Sequence, residues 1–378
     1  MGIITTTRIT HATPAAAYAH VADRDWESYN TKNFGGQHTR EGCMDIALQL
    51  VKRSPPIDLI FGGGRRAFYP NTIRDIENPK FNGSRTDNRS LIEEFWRGDY
   101  IWNKTALDRI TLGASKPILG LFERDHMYYE SDRIADGMDE PSLSQMTKFA
   151  IEHFSKFNQG FFLLIEGGKI DHGHHTTQAR YALDEFVEFD NAIGQAKELL
   201  KDRNLLDRTL LVVTADHSHV FTFGGYGSRG TNILGFASSR ELNGSDVDQA
   251  PINIITYGNG PNFNSSRNRT HLSTLNTNST SYLSPTALPL QSETHGGDDV
   301  PVFAQGPWSH LFTGIMEQNT IAHKMAYAAC WGSYRNRTGC QSIIVSTIIP
   351  KFSNEATSFP TVTFNKIFLS FLLLFIYS

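Results

Sequence analysis

Phe161-Phe162-Leu163-Leu164-Ile165 runs directly into Glu166-Gly167-Gly168-Lys169-Ile170-Asp171-His172-Gly173-His174-His175. The first five residues are apolar and β-prone and read as a buried strand. Gly167 and Gly168 turn the chain, and a helix is expected to begin near Asp171. A strand that hands over to a helix is the repeating unit of an α/β fold. The same stretch concentrates carboxylates and imidazoles. On a helix Asp171 and His175 lie four residues apart and share one face. A hard oxygen ligand and an imidazole at that spacing can hold one divalent ion. Glu166, at the carboxyl end of the strand, is placed for a second ion nearby. A solvated turn with chance histidines is the plain alternative, and it does not account for ligand-type residues gathered directly behind an apolar run.

A second cluster repeats the pattern. Thr209-Leu210-Leu211-Val212-Val213 reads as a buried strand and leads into Thr214-Ala215-Asp216-His217-Ser218-His219. Asp216 and His217 sit just past a strand's carboxyl end, where open α/β sheets bind ligands. A third piece is His295, in Glu293-Thr294-His295-Gly296-Gly297-Asp298-Asp299, ahead of a strand expected at Val300-Pro301-Val302-Phe303-Ala304. A lone histidine is usually an ordinary residue. Its candidacy rests on the two clusters before it, each short of a full ligand shell.

Bulk properties narrow the classes. A chain of 378 residues can bury a large core, and a net charge of −4 with no basic patch excludes a nucleic-acid partner on electrostatic grounds. Of the three cysteines, Cys330 and Cys340 close a short loop and can pair, which leaves Cys43 over. Asn82, Asn88, Asn103, Asn243, Asn264, Asn268, Asn278 and Asn336 each open an Asn-x-Ser/Thr triplet, and that number points to the secretory pathway.

The two ends disagree about targeting. Ser353-Asn354-Glu355-Ala356, a polar spacer and the apolar run Ile367 to Ser378 match a GPI-attachment signal, with the site near Asn354. A last buried strand is the competing reading of the tail and is disfavoured by the polar linker before it. Met1-Gly2-Ile3-Ile4-Thr5-Thr6-Thr7-Arg8-Ile9 lacks the basic flank and long apolar region of a signal peptide. It formally fits a myristoylation pattern but reads better as a strand. Missing entry signal and unpaired Cys43 together give the expectation that residues are absent upstream of Met1.

Between these marks the pattern alternates. A helix start is expected over Pro14 to His20, helical spacing over Glu41 to Lys52, a strand at Ile57-Asp58-Leu59-Ile60-Phe61, and helices over Leu91–Arg97, Pro141–Phe157 and from about Ala179 to Lys201. Gly62-Gly63-Gly64-Arg65 can be a phosphate cradle or a tight strand exit. Strands alternating with helices argue for a mostly parallel sheet covered on both faces. Residues 221–294 differ, being rich in Gly, Asn, Ser and Thr with short β-like runs such as Ile252 to Tyr257, and read as a small insertion.

At this point the chain resembles the animal, GPI-anchored type of alkaline phosphatase. The resemblance is carried by Thr5-Thr6-Thr7-Arg8 with His11-Ala12-Thr13-Pro14, by the Glu166–His175 block, by Thr214 to Val220, by Phe223-Gly224-Gly225-Tyr226 and by Glu293-Thr294-His295. It runs from about Ile3 to Cys340. It implies an alkaline-phosphatase-like α/β fold: a mostly parallel central sheet flanked by helices, with a small inserted crown subdomain. The implied organisation is a core over 1–220, the crown over 221–294, a return to the core over 295–345, and a linker with the attachment signal over 346–378. It implies phosphate monoester hydrolysis with two zinc ions and one magnesium ion through a phosphoserine intermediate. Asp171, His175 and His295 match ligands of the first zinc, Asp216 and His217 those of the second, and Thr13 and Glu166 those of magnesium. Arg24 matches the phosphate clamp, and His219, His11 and His172 match groups that orient ligands and phosphate. Glu77, the carbonyl of Phe122, Glu123 and Glu140 resemble a calcium site, with Asp139 the alternative to Glu140. A homodimer joined through the crown, and the outer face of the plasma membrane, are implied partner and place.

The chain departs from the pattern in one respect. The family's nucleophilic serine, an aspartate bridging the second zinc and the magnesium, and the cysteine that pairs with the Cys43 position have no counterpart here. The expectation is therefore an N-terminally incomplete copy, inactive as written. The competing readings are a related metal-dependent phosphodiesterase or sulfatase, and a non-catalytic truncated paralogue that binds or dimerises. Arg24, Thr13 and Glu166 favour the monoesterase.

Overall fold

The run Phe162–Gly167 forms the strand that its apolar residues predict, and it lies inside one large sheet. The computed structural model describes residues 1–30, 34, 41–157, 160–237, 247–264, 272, 274–338, 340 and 371–377. In chain order the strands are β1 (Gly2–Arg8), β2 (Leu59–Gly63), β3 (Asp99–Ile101), β4 (Ile118–Leu121), β5 (Phe162–Gly167), β6 (Thr209–Ala215), β7 (Ser218–His219), β8 (Phe221–Phe223), β9 (Phe236–Ala237), β10 (Ile252–Asn253), β11 (Ile255–Tyr257), β12 (His295–Gly296), β13 (Val302–Gln305) and β14 (Phe371–Tyr377). The helices are α1 (Ala12–Ala16), α2 (Ile46–Lys52), α3 (Leu91–Phe95), α4 (Lys104–Leu107), α5 (Glu130–Ala135), α6 (Leu143–Phe154), α7 (Lys169–His175), α8 (Ala179–Asp202) and α9 (Thr320–Ala328).

Among the described residues the main sheet has eight strands in the order β13-β6-β14-β5-β1-β2-β4-β3. Its pairings are parallel except for β13, which runs antiparallel to β6 at one edge. Central parallel strands are covered on both faces, so they read as near-continuous apolar runs. Side chains alternate between the faces. Ile3, Ile60, Leu164 and Val212 join one core layer with α2, Phe68 and Met325. Ile4, Phe61, Leu163 and Ile165 join the other with Met146, Ile151, Phe189 and Ala196 of α6 and α8.

Helix ends are set by caps that outrank periodicity. The pattern from Glu41 yields only Ile46–Lys52, because Asp45 caps it and accepts from Leu48 N–H at 2.9 Å. The pattern from Pro141 to Phe157 shortens to Leu143–Phe154, opened by a Ser142–Gln145 capping box. The start expected at Pro14 falls at Ala12, which leaves Pro14 in the first turn, where its missing N–H costs little. The triple glycine is a strand exit and not a phosphate cradle. Gly64 N–H donates to the carbonyls of Glu123 (3.0 Å) and Asp125 (2.6 Å), and its φ of 95° suits glycine.

The tail takes its competing reading in this structure. The strand reading disfavoured from sequence holds over Phe371–Tyr377, which lies between β5 and β6 and is parallel to both. An unbroken apolar run is what a central parallel strand requires. Asn354 and the polar spacer lie outside the described residues, as do Asn243 and Asn268. No described helix is long and apolar enough to cross a membrane. Cys330 and Cys340 form a disulfide with Cα atoms 5.9 Å apart, and Cys43 is exposed and free.

Candidate metal centre

β5, β1 and β6 end side by side, and their carboxyl ends deliver the polar groups. Glu166 is the fifth residue of β5 and is almost fully buried. Gly168 must be glycine: a Cβ there would lie 2.5 Å from Thr7 Cγ2, against the end of β1. α7 then starts at Lys169, two residues before the expected Asp171, and carries Asp171, His172 and His175. Asp216 and His217 follow β6 directly. His295 reaches the same place through the ribbon β7–β12, in which it pairs with His219.

The first group centres on one carboxylate oxygen. Asp171 Oδ1 lies 3.1 Å from His175 Nε2, 2.9 Å from His219 Nε2 and 3.1 Å from His295 Nε2. His295 Nε2 and His175 Nε2 are themselves 3.2 Å apart, and the His217 and His295 rings stack at 3.4 Å. Asp171, His217, His219 and His295 form a set able to surround one metal ion. Burial works against charge on Asp171, but the hydrogen bonds from His175 and His219 outweigh it and hold its carboxyl far below the usual range. Burial likewise opposes charge on His219, yet Asp171 and Glu293 together push its pKa up to about 9. Several imidazoles competing for one oxygen is the donor arrangement of a metal site.

The second group adjoins it. Asp216 Oδ2 lies 3.2 Å from His217 Nε2, while Asp216 Oδ1 is buried without a hydrogen-bond partner. Burial, with Asp171 nearby, raises Asp216 to about 6. Such an orphaned carboxylate oxygen suits a cation. Glu166 Oε2 accepts from Thr5 Oγ1 and, at 3.4 Å, from Thr7 Oγ1, and Thr13 also bonds this carboxylate. Burial raises Glu166 to about 7 in spite of these hydroxyls. Thr13 and Glu166 are thus brought together, as expected.

Arg24 is exposed and its Nη2 lies 3.2 Å from His11 Nε2. His11 stands edge-on to His172 at 5.7 Å between centroids. Sequence reasoning missed two participants. His126 packs edge-on against both His172 (4.3 Å) and His11 (5.1 Å), and its Nδ1 accepts from Arg8 N–H at 3.2 Å. Burial, then His172 and Arg8, lower its pKa strongly. It sits in a loop after β4 with no ligand spacing, so no sequence signal marks it. Glu293 accepts from His219 Nδ1 at 2.7 Å, and its carbonyl oxygen faces His175 Nδ1 at 2.5 Å. Its signal was present as an acid two residues before a candidate ligand.

A separate acidic group lies beyond β4. Burial, then Glu77, raises Glu123 to about 7, and burial, then Glu123, raises Glu140 well above the ordinary range. Glu77 is the member held by a cation, accepting from Arg65 Nη2 at 2.8 Å. Phe122 precedes Glu123 and is buried. Asp139 turns away, accepting from Asn103 Nδ2 (2.8 Å) and Thr105 N–H (3.0 Å), so Glu140 is the member of this group. Asn103 itself caps α4.

A family model described as alkaline phosphatase matches residues 1–331. The chain is 46% identical over 347 residues to an alkaline phosphatase of Gadus morhua, covering 89% of this chain and 70% of that protein. It is 46% identical to the tissue-nonspecific isozyme of Gallus gallus (90% and 65% covered) and 44% identical to the membrane-bound alkaline phosphatase of Bombyx mori (89% and 61%). The chain therefore spans about two thirds of the length of these curated relatives. Among solved structures, the alkaline phosphatase of the Antarctic bacterium TAB5 matches with a TM-score of 0.55 at 24% identity, over 88% of this chain and 72% of that one. That likeness establishes a shared fold.

Proposed function

Since this chain belongs to the alkaline phosphatase family, we propose that the protein hydrolyses phosphate monoesters at a centre of two zinc ions and one magnesium ion. The observation that carries this reading is the convergence of His175, His219 and His295 on Asp171 Oδ1, close to the orphaned Asp216 Oδ1. Asp171, His175 and His295 would hold the first zinc, Asp216 and His217 the second, and Thr13 with Glu166 the magnesium. Bound there, the ions would supply Lewis acidity for in-line phosphoryl displacement.

The side chains do the rest. Arg24 offers a planar fork to two phosphate oxygens and would stabilise the charge that grows on them. His11 contacts that guanidinium, and His172 backs His11. Glu293 holds His219 and His175 in orientation, which keeps their Nε2 atoms turned to the centre. Glu77, Glu123 and Glu140, with the Phe122 carbonyl, would form a further site for calcium, since the raised pKa values of Glu123 and Glu140 mark carboxylates that gain from a hard cation.

The wider setting rests on surface and composition. Phe223, Tyr226 and Ile233 of the 221–294 insertion are 40% exposed or more, and exposed apolar side chains suit a crown joining two copies as a homodimer. The Asn-x-Ser/Thr triplets and the tail composition support a glycosylated protein held on the outer membrane face by a GPI anchor near Asn354.

The test compares p-nitrophenyl phosphate, bis(p-nitrophenyl) phosphate and p-nitrophenyl sulfate on zinc-loaded protein, with zinc binding measured by chelator competition. Zinc binding with a preference for the monoester supports the proposal. A preference for the diester or sulfate replaces it with the related hydrolase, and zinc binding without turnover leaves a non-catalytic metal scaffold, which is the outcome expected of the incomplete, inactive copy.

A further inference from the structure

α7 carries Asp171, His172 and His175 on only seven residues, Lys169–His175. An isolated helix shorter than about 12 residues is marginal in water. The residue before it, Gly168, has no side chain to bond the free N–H groups of the first turn. The helix is therefore held from outside. On one side Asp171 and His175 meet His219, His295 and Glu293. Lys169, Gly173 and Thr176 are spaced by four and three residues and share another face. At about 100° per residue that face points away from Asp171 and His175. α8 closes on its middle, where a Cβ on Gly173 would lie 2.6 Å from Ala182 N.

Both ends of that face meet one side chain. Lys169 Nζ sits over the Tyr129 ring, 3.8 Å from its centroid. The Tyr129 hydroxyl hydrogen-bonds with Thr176, the residue that ends α7. Thr176 Oγ1 also donates to the carbonyls of His172 (3.1 Å) and Gly173 (3.2 Å). Tyr129 is itself fixed. Its other face stacks on Tyr181 of α8 at 4.0 Å and 11°, and the Tyr181 hydroxyl donates to Asp132 Oδ2 of α5 at 2.8 Å. Lys169, Tyr129 and Tyr181 thus form three layers. An ammonium gains most from a ring face where water is excluded, and Lys169 is buried. Glu185 of α8 attracts the same ammonium, and that attraction survives any change at Tyr129.

We propose that Tyr129 is a positioning residue for the metal centre: its ring and hydroxyl span α7 from Lys169 to Thr176 and set the helix so that Asp171 and His175 face one ion. The positioning role rests on the reading of those two residues as zinc ligands; the bracing of α7 does not. Tyr129 acts differently from Glu293, which orients single imidazoles. A shift of α7 carries Asp171 and His175 together. It leaves their mutual distance unchanged and alters their distance to His295, which stands on the separate ribbon β7–β12. What Tyr129 protects is therefore the meeting of the helix with the ribbon.

Three variants of the full chain test this. Tyr129→Leu removes ring and hydroxyl, Tyr129→Phe keeps the ring alone, and Lys169→Met keeps the stem without the charge. Hydrogen–deuterium exchange of the metal-free protein is read over 173–178, with 210–215 of β6 as reference. Tyr129→Leu should speed exchange over 173–178 roughly tenfold or more and leave 210–215 unchanged. Tyr129→Phe and Lys169→Met, each releasing one end, should fall between it and the parent. Loaded with cobalt(II) in place of zinc, Tyr129→Leu should bind about tenfold more weakly and show an altered visible spectrum. Tyr129→Phe should restore most of both. Parent-like exchange over 173–178 in Tyr129→Leu overturns the proposal. So does faster exchange in both regions, which marks a loss of overall stability. Faster exchange over 173–178 with the parent's cobalt affinity and spectrum also overturns it, because α7 would then be braced without its ligands being positioned. A parent that takes up no cobalt removes the zinc reading and the positioning role with it, leaving the exchange to show the brace alone. If Tyr129→Leu does not fold, Tyr129→Phe and Lys169→Met decide by the same readouts, and parent-like behaviour of both overturns the proposal.

Discussion

Glu293 is buried and touches two imidazoles, accepting from His219 Nδ1 and turning its carbonyl toward His175 Nδ1. A carboxylate at Nδ1 fixes the tautomer that leaves Nε2 free to face Asp171. Glu293→Gln keeps the shape but loses the charge and presents an amide that can donate. Zinc affinity is expected to fall about 10- to 100-fold in chelator competition. An unchanged affinity would remove Glu293 from any positioning role. Arg24 gives the contrasting case. Its guanidinium faces His11 and is otherwise exposed, so Arg24→Lys should leave zinc affinity alone. Lysine keeps the charge without the fork, and inorganic phosphate binding by calorimetry should weaken roughly tenfold, about 1.4 kcal/mol. Equal phosphate affinity would mean that a single point charge suffices there. Glu166, Asp216 and His217 were legible in sequence as candidates because each sits at or just past the carboxyl end of an apolar run, whereas His295 was a candidate only by association with them. His126 was not, because it meets His11 and His172 only through the packing of the loop after β4 against α7.

Helix ends show how local chemistry divides the work. Ser142 closes a capping box on α6 and nothing else depends on it alone, so Ser142→Ala should cost about 1 kcal/mol in denaturant unfolding. Asp45 caps α2 and also pairs with Arg85, whose side chain is fully buried, at 3.0 Å. Asp45→Ala removes a cap and leaves a buried guanidinium with Asp87 as its remaining acid partner. The expected cost is about 3 kcal/mol or more. Similar costs for the two variants would mean that Arg85 finds full compensation elsewhere. Capping also explains where the sequence reading erred. Periodicity located α2 and α6 but extended them, because it is blind to the residue whose side chain stops the pattern. β14 was missed for a different reason. Its apolar run fits a sheet centre and a lipid-attachment tail equally well, and only a ladder between β5 and β6 distinguishes them.

The acidic group of Glu77, Glu123 and Glu140 lies beyond β4, away from the zinc ligands, and it links the whole protein's stability to pH. Burial, then Glu77, raises Glu123 to about 7, and burial, then Glu123, raises Glu140 well above the usual carboxylate range. Between the ordinary glutamate value and these raised values the folded chain holds protons that the unfolded chain has released. Stability contributed by such groups is therefore greatest in acid and declines as pH rises toward the folded pKa. With zinc saturating and calcium chelated, the melting temperature should fall as pH is raised from about 5 to 8. Asp216 and Glu166, also raised, lie at the candidate zinc and magnesium positions, so the parent slope alone does not isolate Glu123. The difference between the parent and Glu123→Gln does. The amide cannot ionise, so the variant should show a shallower decline. Calcium should raise the parent's melting temperature most at pH 8, where a bound cation replaces the proton, and should raise the variant's less. A variant with the parent's slope and the parent's response to calcium would show that Glu123 neither holds the proton nor the ion. A parent insensitive to calcium at every pH would remove this group from the metal-binding part of the fold and leave it a cluster of buried acids held protonated by their neighbours.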